Sequence, residues 1–273
     1  MDNQSPMGRR RVERLSAAII AACMVVLIIS VDQLAREKRQ PLAVEELPLP
    51  IAVFPDFASV SSIDVKKQQF FDYLQDYIDA ENQRISVVRR ELQSLADIVN
   101  GGVALSTREL ERVLLLSDVY RLPDSVSRDV QLVDELLLRV DQIPASLVLA
   151  QAANESAWGT SRFALEGNNI FGQWCYEEGC GMIPLQRVSG ASHEVQRFDS
   201  LEHSVQGYFA NINSHPLYEY FRELRAYMRN RGEDLDPMIL AYGLGRYSQR
   251  GENYVDEVQT LIEQNNLRSR DKN

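Results

Sequence analysis

Histidine is scarce in this chain. His193, His203 and His215 are the only three in 273 residues. They form no Ser/His/Asp arrangement, and each reads as a surface or helix residue. Basic residues are outnumbered, with 29 Lys and Arg against 39 Asp and Glu, for a formal net charge of −10. No basic stripe dominates, which argues against nucleic acid as a partner. The acidic balance fits an ordinary domain whose charge helps solubility. Glycine and proline are few, 14 and 10, so low complexity is excluded. Gly243-Leu244-Gly245 does not follow a strand pattern, which removes a dinucleotide site. No cofactor is implied, and there is no internal repeat.

Cysteine is equally sparse, with three residues. Cys23 lies inside an apolar run and acts as a small hydrophobe. Cys175 and Cys180 bracket Tyr-Glu-Glu-Gly, a short loop with a turn-making Gly179. In an oxidising compartment such a pair forms a local disulfide. A metal site with His193 as third ligand is the rival, but the spacing fits no zinc pattern. No metal is expected.

Long apolar runs are limited to one, Leu15 to Val31. Arg9, Arg10, Arg11 and Arg14 precede it. Its length is near the short limit for crossing a bilayer, and the basic flank favours an inside N-terminus. The expectation is a single-pass signal anchor in a bacterial inner membrane, with the remainder in the periplasm. Two alternatives stay open. One is a cleaved signal peptide, although no small-x-small site closes the run. The other is a lipoprotein box at Ile20-Ala21-Ala22-Cys23.

What remains is largely helical. Residues 33–62 hold Pro41, Pro48, Pro50 and Pro55, and form a linker. Within it, Leu47 to Phe57 is apolar enough to lie partly against the folded domain. Phe70, Phe71, Leu74, Tyr77 and Ile78 follow helical spacing and predict a core-facing helix from about Val65 to Val99, continuous or broken once. Gly101-Gly102 stops it, and Ser106 or Thr107 with Glu109 or Glu111 starts the next helix. Further helices are expected at 108–121, 127–140, 201–213, 217–229, 236–242 and 252–265. Another opens with Pro144 in its first turn. Met182 to Arg187 and Glu194 to Phe198 predict a short hairpin around Ser189-Gly190-Ala191-Ser192. The fold class is therefore mainly α, with one small sheet and a cleft between two lobes. Residues 63–139 form an N-terminal helical region, and 140–268 a second domain. Arg222, Arg225, Arg229 and Arg231 predict a solvated helix face or a contact for an anionic polymer.

The richest window is Ala150-Gln-Ala-Ala-Asn-Glu155-Ser-Ala-Trp-Gly159. An apolar helix ends in a carboxylate with a large ring beside it. Lost hydration disfavours the charged form and raises the pKa. Such a group can hold a proton near neutral pH and donate it to a leaving oxygen, as a glycosidase acid must. A surface Glu at a helix end is the plain alternative.

Ser146 to Arg162, followed by Gly167-Asn-Asn-Ile-Phe-Gly172, resembles the glucosaminidase domain of glycoside hydrolase family 73. Trp174-Cys175, Cys180-Gly181 and Tyr247-Ser-Gln-Arg-Gly-Glu-Asn-Tyr254 are most similar to its Bax-type branch. The resemblance spans roughly Val140 to Leu267. It implies a lysozyme-like fold and cleavage of peptidoglycan at the β-1,4 bond from N-acetylglucosamine to N-acetylmuramic acid. The family's catalytic Glu falls on Glu155, and its active-site Tyr on Tyr247. Tyr254 is expected to be structural. Some members use a second carboxylate on the β-lobe, for which Glu194 is the candidate beside Glu177 and Glu178. If none serves, the substrate's own N-acetyl group can act as nucleophile. Asn169, Phe171 and Trp174 are candidate substrate contacts, since sugar rings stack their C–H faces on aromatics. A lytic transglycosylase of the same fold and a silent glycan-binding scaffold are the competing functions. The Gly-Leu-Met-Gln type string of the former is absent.

Overall fold

The computed structural model describes residues 54–126, 128–184 and 193–272. The apolar run Leu15 to Val31 lies outside them. No helix among the described residues is long and apolar enough to cross a membrane.

Helix α1 spans Ile63–Asn100 without a break, about 57 Å at 1.5 Å per residue. Ser62 caps its start by accepting from the Val65 amide, and Gly101 with Gly102, at φ +76°, ends it. Phe70, Phe71, Leu74, Ile78, Ile85, Leu92 and Val99 line its buried face. Helix α2 (Thr107–Val119) opens on a capping box between Ser106 and Glu109, one of the offered pairings. Helix α3 (Asp129–Arg139) follows. Helix α4 (Ala145–Ser156) has Pro144 as its N-cap, one position before the first turn. Every residue from Ala145 to Ala153 is buried, so α4 is the central helix, covered on all sides. Its first turn is tied down by the far end of the chain. Asp271 accepts from both the amide and the hydroxyl of Ser146, at 2.8 Å each.

A short helix that the sequence pattern does not announce, α5, covers Arg162–Gly167. The sheet follows, with β1 Trp174–Cys175, β2 Gly181–Met182 and β3 Glu194–Gln196. It is antiparallel in the order β1-β3-β2. Two corrections to the expected hairpin arise here. The Met182 strand ends at once, since Ile183 and Pro184 leave the ladder. An extra strand, β1, pairs with β3 through Trp174↔Val195 and Cys175↔Glu194. Two-residue strands carry no alternation, so the pattern could not disclose β1. The expected turn at Ser189 to Ser192 lies outside the described residues.

Helices α6 (Leu201–Ser214), α7 (Glu219–Asn230), α8 (Pro237–Ala241) and α9 (Glu252–Gln264) complete the domain. Short 3-10 turns occur at Pro216–Tyr218 and Tyr242–Leu244. The expected solvated arginine face on α7 is also corrected. Arg222 and Arg225 are 2% and 1% exposed. Arg225 hydrogen-bonds the carbonyls of Leu138, Arg139, Asp141 and Gln142 at the α3–α4 turn. Buried helix-end carbonyls need donors, and the planar five-donor guanidinium suits several at once.

The part of the linker inside the described region is ordered against the domain. Phe57 is buried, and its ring meets Phe70 edge-on at 5.4 Å. Together these elements form a mainly helical domain with one small antiparallel sheet.

Candidate active site

Glu155 occupies the last turn of α4 and is half-buried. The three residues after Ser156 all take positive φ: Ala157 at 51°, Trp158 at 59° and Gly159 at 74°. Two of them are not glycine, so the turn is held by contacts against its own preference. Ser156 supplies one of these, donating to the Ala152 carbonyl and accepting from the Gly159 amide at 2.8 Å. Trp158 supplies another, packing edge-on against Phe70 and Phe71 of α1. The ring expected to desolvate Glu155 is therefore turned to the α1 aromatics.

Other groups dry the carboxyl. Gly172 lies against it at φ +65°, where a Cβ would stand 3.6 Å from Glu155 Oε2. The Tyr254 hydroxyl adjoins it as a hydrogen-bonding neighbour, and the Glu155 charge reaches the phenols of Tyr208, Tyr218 and Tyr247. Glu155 Oε1 is buried without a hydrogen-bond partner. Burial pushes the Glu155 pKa up, and neighbouring Glu257 adds to this. The Tyr254 hydroxyl and the Arg250 charge oppose it, and the net direction is upward. The phenols respond in kind. Burial and the nearby carboxylate raise Tyr208, Tyr247 and Tyr254 well above their usual value, and Tyr218 is pushed up to about 12, mainly by burial. They remain neutral donors at any ordinary pH.

The loop after α5 brings Gly172 to this place. Asn169 is buried, and its side chain bonds the Gln173 amide and the carbonyls of Gln173 and Gln196. It is a loop brace, with donors and acceptor in use. Phe171 is buried and stacks on Tyr208 at 4.1 Å. Its carbonyl accepts from the Tyr247 hydroxyl at 2.7 Å. Tyr247 in turn stacks on Tyr254, with centroids 5.5 Å apart. Of the two tyrosines in the late motif, Tyr254 is the hydrogen-bonding neighbour of Glu155, and Tyr247 holds the loop that faces it.

The sheet presents different chemistry. Cys175 and Cys180 form a disulfide. Glu194 is buried, and its two oxygens accept from the amides of Gly179 and Gly181. It fastens the disulfide loop from inside. Glu177 and Glu178 are exposed on that loop. Trp174 is half-exposed and stacks on His193 at 4.0 Å.

Gln151 and Tyr208 escaped the sequence reading. Gln151 stands one turn before Glu155, on the same face of α4, and that spacing could have flagged it. Tyr208 sits on α6 and carries no local signal.

A half-buried carboxyl with a raised pKa, beside neutral tyrosines at a helix–loop junction, can hold a proton and give it to a leaving oxygen. Residues 133–267 match the glucosaminidase family, described as mannosyl-glycoprotein endo-beta-N-acetylglucosaminidase. The chain belongs to that family, in its Bax-type branch. It is 31% identical over 211 residues to Protein bax of Escherichia coli (strain K12), covering 77% of this chain and 74% of the relative. Among solved structures, it is similar to the catalytic domain of the autolysin Auto from Listeria monocytogenes. That likeness has a TM-score of 0.42 and 16% identity, and covers 78% of this chain and 92% of the other.

Proposed function

We propose that this chain is a peptidoglycan hydrolase, an endo-β-N-acetylglucosaminidase. It cuts the β-1,4 bond between N-acetylglucosamine and N-acetylmuramic acid, with Glu155 as general acid. The observation that carries this is the Glu155 carboxyl itself, half-buried with its pKa raised. Protonated, Glu155 gives its proton to the glycosidic oxygen as the bond from C1 breaks. Tyr254 then stabilises the carboxylate that is left.

Glu194 already accepts two loop amides, so in this reading it positions the β-lobe. The substrate's acetamido oxygen closes on C1 instead. Water then opens that ring, its proton returning to Glu155, and a reducing N-acetylglucosamine end results. Tyr247 positions the Phe171–Gly172 backbone. Trp174 offers a free ring face to a sugar. The disulfide supports an oxidising compartment. With the basic-flanked run at Leu15 to Val31, it fits a domain anchored to the bacterial inner membrane and facing the periplasm.

The test mixes the purified full chain with peptidoglycan sacculi and identifies the released ends by mass spectrometry. Reducing N-acetylglucosamine ends, absent with Glu155→Gln, are the expected result. Full activity of that variant would sink the mechanism. Anhydro-muramic ends would assign the chain to the lytic transglycosylases, and binding without release would make it a scaffold.

A further inference from the structure

Behind Glu155 runs a buried chain of hydrogen bonds that starts on α6. The Tyr208 hydroxyl donates to Gln151 Oε1. Gln151 Nε2 donates to the Tyr254 hydroxyl oxygen at 2.7 Å. The Tyr254 hydroxyl adjoins the Glu155 carboxyl and acts on it as a hydrogen-bonding neighbour. Gln151, Tyr208 and Tyr254 are all 0% exposed, so no water competes for these bonds.

The sense of the chain follows from the donor inventory. A phenol has one proton to give. Because Tyr208 donates to the amide oxygen, the amide must present its NH2 to Tyr254. Tyr254 therefore accepts from Gln151 and has its own proton to spend on Glu155. Successive bonds of this kind polarise one another in a dry interior.

We infer that Gln151 is a positioning residue: its amide, oriented by Tyr208, fixes which way the Tyr254 hydroxyl points its proton, and so how tightly Glu155 holds its own. The consequence for catalysis rests on Glu155 being the acid proposed above. The hydrogen-bond relay itself does not. The other charged groups that act on Glu155 are Arg250 and Glu257, an ion pair on the solvent side, and the Glu155 charge in turn reaches Tyr218 and Tyr247, the remaining two phenols of the wall. None of them bonds to Gln151, so a change at Gln151 reaches Glu155 through Tyr254.

The experiment titrates the Glu155 side-chain carboxyl by NMR in full chain carrying 13C-labelled glutamate, with the resonance assigned by its loss in Glu155→Gln. Tyr254→Phe should raise the midpoint by about half a pH unit or more, roughly threefold in proton affinity. Gln151→Met should move it the same way, and the double variant no further than Tyr254→Phe alone. Tyr208→Phe keeps the ring stacked on Phe171 and removes only the hydroxyl. It should give a smaller shift of the same sign, and it tests the relay even if Gln151→Met fails to fold. An unchanged midpoint in folded Tyr208→Phe, or a double variant that shifts by the sum of both, would overturn the inference. The pH–rate profile on sacculi separates the two levels. A titration that moves while the basic limb of the rate stays fixed supports the relay and refutes Glu155 as the acid.

Discussion

Asp141 offers the sharpest test of what seats α4, the helix that carries Glu155. It lies in the α3–α4 turn, 2% exposed, with Arg229 Nε and Nη2 at 3.1 and 3.0 Å. Arg89 and Arg225 approach it to 3.4 and 3.8 Å. Burial alone would raise its pKa, but the guanidiniums of Arg225, Arg229 and Arg89 outweigh burial and hold it below the usual value. In Asp141→Ala these cations lose a shared counter-charge. Arg229 and Arg89 are 33% and 16% exposed and can turn towards water, whereas Arg225 at 1% cannot. Arg225 keeps its bonds to backbone carbonyls and to Asn213 Oδ1 at 2.7 Å. For Arg225 the loss is therefore charge compensation, while Arg229 and the Gln142 amide lose hydrogen bonds that water can replace in part. That places the cost at the low end for breaking a buried pair, about 3 kcal/mol. In urea the midpoint should fall by about 1–2 M. Because the folded pKa is depressed, the stabilisation is present above the unfolded value of about 3.9 and is lost as pH falls through the folded pKa. Wild type and variant should therefore converge in acid. An unchanged midpoint at pH 7, or a gap that persists in acid, would refute this account.

Other outcomes follow from the same geometry. Glu155→Gln should abolish release of fragments from sacculi. Since the folded pKa of Glu155 is raised, its ionisation opposes folding above that pKa, so the variant should melt higher than wild type at pH 8. That advantage should vanish at pH 3, as scanning calorimetry would reveal. Gly172→Ala forces a side chain into φ +65° beside Glu155 Oε2. A cost of about 1–2 kcal/mol in denaturant melts is expected, with a larger proportional loss of hydrolysis. Phe57→Ala should cost about 3 kcal/mol in the same melts, because the ring is 3% exposed among Phe54, Phe70 and Tyr73.

The helices were legible because their signals are local. The Phe70, Phe71, Leu74, Ile78 stripe, the Ser106–Glu109 cap and the Gly101-Gly102 stop each act within one or two turns, and the structure uses all three. The sheet was half-legible. β3 and Met182 were expected, but β1 depends on a pairing between residues 174–175 and 194–195, which no local pattern encodes. Arg222 and Arg225 misled for a related reason. Their partners are carbonyls about 80 residues away at the α3–α4 turn and others near the end of α6, and a charge run looks the same whether it meets water or buried carbonyls. At the candidate site the sequence pointed to Glu155 and to the tyrosines of the late motif. Which tyrosine faces the carboxyl was decided by tertiary packing. Tyr247 is engaged by the Phe171 carbonyl, and Tyr254 is left to Glu155 and Gln151.

The packing of Phe54 and Phe57 over Gly159 bears on how this enzyme family can be cut, joined and inherited. A Cβ on Gly159 would come within 2.7 Å of the Phe57 ring and 3.1 Å of Phe54. The turn next to Glu155 is thus roofed by residues nearly eighty positions upstream of the family-matched segment 133–267. Trp158 leans on α1 in the same way. The portable module is consequently larger than the stretch that bears the recognisable motif. A gene fusion that kept only the motif-bearing part would transplant Glu155 without the roof and wall that hold its turn in place.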